Sequence, residues 1–380
     1  MDLQLFLKHM EEIVNIDSGS RNAAGINRVA DCLESWYREI GWNVESIFVG
    51  EETGRVLLIT NRPADHYDVM YVGHMDTVFP DGTVEKRPFR MDEEHYYGPG
   101  VGDMKNGDVA MHHIARNLPQ EINEKLNIAM VYNPDEEIGS VYSGKVLDSI
   151  GAKADHIFVM ESAGHDGVRH CFARKGSLCY DLEFFGQAAH AGFMFERPNA
   201  SAVLEMGHYI VKLMAMASKE EDTTVNVGVV SGGTARNVVA DHAKLSVEMR
   251  FKKESEYRRL KEEVHRMVEG DPHVAGVKTV IALEREMAPF VKTEKALSYM
   301  ERMKTVAESL GIPFEEKDRG GLSDANHLAK AGNAVVVDGM GPHGALDHSE
   351  KEYGCICSIE PCVRLHLGLL EELAERKDQC

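Results

Sequence analysis

Carboxylates and imidazoles stand just past short apolar runs at four places in this chain. Asp68-Val-Met-Tyr-Val72 leads into Gly73-His74-Met75-Asp76, and Leu126-Asn-Ile-Ala-Met-Val131 leads into Pro134-Asp135-Glu136-Glu137. His156-Ile-Phe-Val-Met160 leads into Glu161, and Ala334-Val-Val-Val-Asp338 leads, after a glycine-rich turn, into His348. A fifth acid, Asp103, follows Gly98-Pro-Gly-Val-Gly102 and opens a helical pattern. Imidazole nitrogen and carboxylate oxygen are ligands that a catalytic zinc takes, with one position left open for water. Glu136 and Glu137 are adjacent, so their side chains point in different directions. One can ligate while the other works as a general base. Asp76 lies on the same face of an extended segment as His74 and could hold the second nitrogen of its ring.

Each of these residues has a plainer reading when taken alone. A lone H-x-D pair is common. Asp103 is placed to cap a helix. An acidic turn is usually solvated, which also covers Glu136, Glu137 and Glu161. A histidine such as His348 is more often a satisfied surface or core residue. Only the combination argues for a metal site.

The apolar runs span four to seven residues between turn signals, too short to cross a membrane. They read as buried strands of a largely parallel sheet. In open sheets of that kind, ligands bind beyond the carboxyl ends of the strands. Helical patterns cover 2–16, 23–40, 104–118 and 140–150. The texture changes near 175, where Leu178-Cys-Tyr-Asp-Leu-Glu-Phe-Phe185 alternates with period two as a half-solvated strand. A helix at 199–217, strands at 224–230 and 243–251, a charged helix at 253–269 and a strand at 277–283 follow. That β-α-β-β-α-β order resembles a ferredoxin-like insert. Pro289 marks the return, and helices at 293–310 and 359–376 complete the first domain. The expected fold is α/β: a mostly parallel-sheet catalytic domain in two segments, 1–173 and 287–380, with an α+β domain inserted at 174–286.

Composition narrows the function. A chain of 380 residues that is 43% hydrophobic can build a large core and suits two domains. A formal net charge of −20 argues against nucleic acid or an anionic membrane as partner. Seven cysteines show no zinc-finger spacing and read as reduced thiols. The start, Met1-Asp-Leu-Gln, carries acid where an export signal needs base, so a cytoplasmic location is expected. Met206, Met214 and Met216 read as helix packing. Gly98–Gly102 is no phosphate loop, because no Lys-Ser/Thr follows it.

Read together, the segments resemble the M20 metallopeptidase family, also called the aminoacylase/carboxypeptidase family. The likeness spans nearly the whole chain. It rests on Gly73–Val78, Gly98–Gly107, Asn133–Ser140, Met160-Glu161, Gly186-Gln-Ala-Ala-His190-Ala-Gly192 and Asp347–Tyr353. Gly320–Asn326 and Asp338–Gly341 look closest to the glutamate-carboxypeptidase-like branch. The resemblance implies a zinc-exopeptidase fold and two Zn2+, with Co2+ or Mn2+ as substitutes. His74, Asp103 and Glu161 would hold one ion, and Asp103, Glu137 and His348 the other. Glu136 would be the general base and Asp76 the partner of His74. The insert would be a lid and dimerisation domain, carrying His190 across a homodimer interface to stabilise an oxyanion. Asn237, Arg250 and Arg169 match positions that bind the substrate's carboxylate. The family pattern also places a cis peptide between Asp103 and Met104. Two departures stand out: Met104 where many members have a second Asp, and Gln187-Ala188 in place of Lys-Ala/Ser.

The function implied is cleavage of an amide bond in a small peptide or N-substituted amino acid with a free carboxylate, of carboxypeptidase or dipeptidase type. An N-acyl-amino-acid deacylase, such as an aminoacylase or an acetylornithine-deacetylase-like enzyme, uses the same chemistry. A catalytically inert binding module is the reading from another class. Its mark would be a lost ligand or base, and all five ligands and Glu136 are in place.

Overall fold

A computed structural model describes residues 1–164 and 169–378. The chain divides into two compact units. The first comprises Met1–Ala173, Lys292–Arg319 and Ser323–Cys380; the second comprises Arg174–Val291 with Gly320–Leu322.

The first unit is built on a six-stranded sheet. Its strands are β1 (Asn43–Ile47), β2 (Val56–Thr60), β3 (Tyr67–His74), β4 (Ile128–Asn133), β5 (Ala154–Val159) and β6 (Val335–Val337), in the order β1-β2-β4-β3-β5-β6. β4, β3, β5 and β6 pair in parallel, while β1 and β2 form an antiparallel edge. Every residue of β4 and β6 is buried, as a parallel strand covered on both faces requires. The parallel strands end at one level: His74 lies opposite Asn133, and Val72 opposite Val159.

Helices supply the cover. In α1 (Leu3–Val14), Phe6, Met10, Ile13 and Val14 recur at helical spacing and are all buried. Asp2 caps it by accepting from the Leu5 N–H at 3.0 Å. α2 (Ala23–Glu39) is capped in the same way by Asn22. α3 (Asn106–Arg116) is buried almost all round, with α1, α2 and the long α7 (Ile359–Lys377) packed about it. α4 (Gly144–Gly151) packs against β5. Two helical patterns start later than the sequence suggests. Val101–Lys105 forms a wide turn in which Asp103 and Met104 have non-helical backbone, so Asp103 precedes α3 rather than opening it. The helix read from 140 begins at Gly144, because Gly139 and Ser140 both take positive φ. Among the described residues no helix is long and apolar enough to cross a membrane.

The second unit holds its own sheet and core. Its strands are β7 (Gly176–Phe185), β8 (Thr224–Gly232), β9 (His242–Phe251) and β10 (Lys278–Met287), all antiparallel, in the order β8-β9-β7-β10. Period-two alternation sends Leu178, Tyr180, Leu182 and Phe184 to one buried face. There they join Met206, Tyr209 and Leu213 of α5 (Ala202–Met214) and Leu260 and Val264 of α6 (Glu254–Glu269). β8 is an edge strand, and Val229 and Val230 on it are exposed.

Candidate metal centre

The aligned strand ends of the first unit bring the acids and imidazoles together. His74 is the last residue of β3, Glu136 and Glu137 form the turn after β4, and Glu161 follows β5. Asp103 enters from the turn before α3, where its peptide bond to Met104 is cis. His348 enters from a loop in which it and Leu346 both adopt positive φ.

Asp103 stands between the two imidazoles. Its Oδ1 is 3.1 Å from His74 Nε2, and its Oδ2 is 3.0 Å from His348 Nε2. Glu161 Oε1 is 3.5 Å from His74 Nε2, and Glu137 Oε2 is 3.2 Å from His348 Nε2. Two triads result, His74–Asp103–Glu161 and Asp103–Glu137–His348, each with its ligand atoms within 4.8 Å of one another. Glu136 belongs to neither.

Asp76 does more than its spacing suggests. His74 Nδ1 is 3.0 Å from the Asp76 backbone carbonyl and 3.4 Å from its carboxylate. The carboxylate also serves other groups. It accepts from Ser20 Oγ at 2.6 Å and from the backbone N–H groups of Glu136 at 3.0 Å and Glu137 at 3.2 Å. It therefore fixes the turn that aims both glutamates.

Other supporting residues carry no sequence signal of their role. Glu352, within a motif quoted for its histidine, is buried and accepts from the N–H groups of Gly100, Gly102 and Asp103 at 2.7–3.1 Å. It locks the backbone that presents Asp103. Asp324 accepts from Ser140 Oγ at 2.6 Å and from Asn133 Nδ2 at 2.7 Å, bracing the far side of the Glu136 turn. A buried acid four residues after His348 could only be given its partners in three dimensions.

The electrostatics follow from packing carboxylates around two imidazoles. Burial pushes Glu136 well above the usual carboxylate range, and raises Glu137 as well. Burial and the neighbouring Asp103 push Glu161 up to about 7. Burial also lifts Glu352 to about 7. Asp103 goes the other way: burial opposes its ionisation, but hydrogen bonds from His348 and His74 hold it well below its ordinary value. His348 is raised to about 11 by hydrogen bonds to Asp103 and Glu137. His74 is raised in spite of its burial, through Asp103, Asp76 and Glu161. Both imidazoles are thus pushed toward the charged form by the carboxylates around them. Glu137 Oε1 is buried with no hydrogen-bond partner. An oxygen and nitrogen donor set with no thiolate, sharing one carboxylate, fits two borderline dications such as zinc.

The remaining sequence candidates lie apart from this cluster in the chain. His190 and Asn237 meet within the second unit: His190 pairs with Val238, and the Ala191 N–H donates to the Asn237 carbonyl at 2.9 Å. His190 Nδ1 accepts from the Gly192 N–H at 3.1 Å. In the neutral ring of this exposed residue, that leaves the proton on Nε2. Arg250 lies on β9; its Nη2 donates to Glu248, and its Nη1 is buried without a partner. Arg169, in the first unit, pairs with Glu315 at 3.1 Å.

Comparison with known proteins gives one consistent result. The model of peptidase family M20/M25/M40 matches residues 70–372. The chain is 25% identical to carboxypeptidase G2 of Pseudomonas sp. (strain RS-16), over 98% of this chain and 90% of that one. It is 27% identical to a succinyl-diaminopimelate desuccinylase of Variovorax paradoxus (strain S110), over 97% of each. The crystal structure of a tripeptidase from Staphylococcus aureus is similar with a TM-score of 0.80, over 99% of both chains. Its identity is 21%, so that likeness speaks for the fold.

Proposed function

Since this chain belongs to peptidase family M20, a family of metal-dependent hydrolases, we propose that it is a dinuclear exopeptidase. It cleaves the amide bond of a small peptide or N-substituted amino acid that ends in a free carboxylate. The observation that carries this reading is Asp103, whose two oxygens face two separate His–carboxylate pairs while Glu136 stays outside both. His74, Asp103 and Glu161 would hold one cation, and Asp103, Glu137 and His348 the other. When bound, the two cations supply Lewis acidity, polarising the scissile carbonyl and acidifying the attacking water.

The protein's own groups do the rest. Glu136 takes the proton of the attacking water and returns it to the leaving nitrogen. Burial raises its affinity for a proton, which suits it to carry that proton between the two steps. Asp76 keeps Glu136 aimed by holding its backbone N–H. His190, with its proton on Nε2, is suited to donate to the developing oxyanion, a contact typically worth about 3–4 kcal/mol. We assign Asn237 and the unpaired Nη1 of Arg250 to the substrate's carboxylate, with Arg169 as a further candidate. We place the enzyme in the cytoplasm as a homodimer formed through the second unit. The exposed Leu204 and Val211 of α5 and the exposed edge of β8 support that assembly.

A deacylase is the second reading, favoured by the desuccinylase relative. A panel of dipeptides, N-acyl amino acids and their carboxyl-amidated counterparts, tested with zinc- or cobalt-loaded protein, decides. Free-carboxylate substrates are expected to be cleaved at least ~10²-fold better than amidated ones, as loss of a buried ion-pairing partner implies. Preference for N-acyl amino acids over dipeptides selects the deacylase. Equal turnover of free and amidated forms refutes recognition of the carboxylate, and no hydrolysis of any panel member refutes the proposed activity.

A further inference from the structure

Three histidines with no part in the site above meet inside the first unit. His9 comes from α1, and His112 and His113 from α3. Their ring centroids form a near-equilateral triangle: His9 to His112 is 5.2 Å, His9 to His113 is 5.4 Å and His112 to His113 is 5.4 Å. The rings meet at steep angles of 62° to 86°, so edges rather than faces approach. One nitrogen from each lies within 4.8 Å of the others. His9 Nδ1 and His113 Nε2 are 3.3 Å apart.

Burial makes this an unusual place for imidazoles. His9 is 7% exposed, His112 1% and His113 0%. Trp36 stacks on His9 at 4.0 Å, and the rings of Phe6 and Tyr37 close on His113 and His112 at 5.1 and 5.2 Å. Both nitrogens of His112 and Nδ1 of His113 have no hydrogen-bond partner. The Trp36 backbone acts weakly on His112 without meeting hydrogen-bond geometry. A plain aromatic core would leave no such groups, because a buried polar atom without a partner is costly. A cation among the three rings would take one nitrogen from each and so give His112 a partner.

We propose that His9, His112 and His113 form a third metal site, structural rather than catalytic, which takes a nitrogen-preferring d-block dication such as zinc and pins α1 to α3. The donor set decides the metal class. With three imidazoles and no oxygen ligand, the site rejects Mg2+ and Ca2+ and suits Zn2+, Co2+, Ni2+ or Cu2+. Burial also keeps the rings in the neutral form that ligates, pushing His9 down to about 4 and His112 and His113 to about 3. None of the three is a residue assigned to hydrolysis, so the site stands whether or not the proposed catalytic reading does.

The test counts metal ions in the full chain. Wild type, His9→Gln and His112→Phe are unfolded, stripped with chelator and refolded in excess Co2+, which gives the enclosed site access. Bound cobalt is then measured after gel filtration. Wild type is expected to hold one equivalent more than each variant, with a visible spectrum whose difference reports nitrogen-only coordination. Hydrolytic turnover is expected to stay within about twofold. Should His112→Phe fail to fold, His9→Gln, which replaces the least buried of the three ligands, carries the comparison. The same one-equivalent difference is expected in a His74→Ala, His348→Ala background, which separates this site from the other two. Equal cobalt in folded wild type and His9→Gln, with no spectral difference, overturns the proposal.

Discussion

Adjacent residues of one type receive different work from their surroundings. Glu137 points an oxygen at His348 from 3.2 Å, whereas Glu136, one residue earlier, joins neither triad. Replacing Glu136 by Gln keeps the shape but removes the base. Turnover should fall by about 10²–10⁴-fold with metal content near normal. Glu137→Gln should instead lower occupancy of one cation. Rate assays beside elemental analysis separate the two, and swapped phenotypes would reverse the assignment. The imidazoles make a second prediction at this scale. His348 is raised to about 11, so it is protonated in the metal-free protein near neutrality, and His74 is raised in the same direction. A cation needs the neutral ring, so binding must expel that proton and affinity must climb with pH across neutrality. Calorimetry at about pH 7 in buffers of different ionisation heat should report net proton release when the metal pair binds, from His348 and in part from Glu161, whose carboxyl sits at about 7. His348→Ala should lower the count, and buffer-independent heats would contradict the scheme.

At the scale of elements, the site is a matter of where strands stop and what braces the loops beyond. Parallel pairing brings β3, β4 and β5 to one level, so residues distant in sequence emerge together. α3 seats closely on this edge: a Cβ at Gly107 would stand 2.1 Å from the Met160 carbonyl oxygen, next to Glu161. Glu352 braces the Gly100–Asp103 turn through three backbone N–H groups. Glu352→Gln can no longer accept all three with full charge. Metal affinity should drop by about 10–100-fold, the usual cost of losing a supporting contact, while the far-ultraviolet dichroism is unchanged. Competition with a chromophoric chelator measures this, and unaltered affinity would show that the turn holds itself.

For the whole molecule, the proposed assembly makes a prediction that no single subunit can. If His190 serves the partner's centre, His190→Ala and Glu136→Gln subunits are each inactive for a different reason. A mixed dimer has one centre with both groups intact and one with neither. Random exchange makes half the dimers mixed, so about a quarter of wild-type activity should return on mixing. Exchange is followed with tagged subunits. No recovery despite exchange would mean that His190 acts within its own subunit or not in catalysis, and a fully active monomer would reject the assembly.

The sequence by itself determined the elements and the residues that could ligate. Apolar runs and helical periodicities are local, and His74, Glu137 and Glu161 lie within a few residues of strand ends, so pattern and chemistry coincide there. The alternation of Leu178 to Phe184 foretold one buried face for the same reason. Only the tertiary structure decided the rest. Asp76 was readable as a partner of His74, but its further hold on Ser20 and the Glu136 turn was not, because strand end and turn meet only after the sheet forms. Glu352 and Asp324 look like any acids until their backbone and side-chain donors arrive from elsewhere in the chain. His9 lies 104 positions before His113, and no local pattern links them. Their meeting is a product of helix packing, in which α1 and α3 cross with three imidazoles between them.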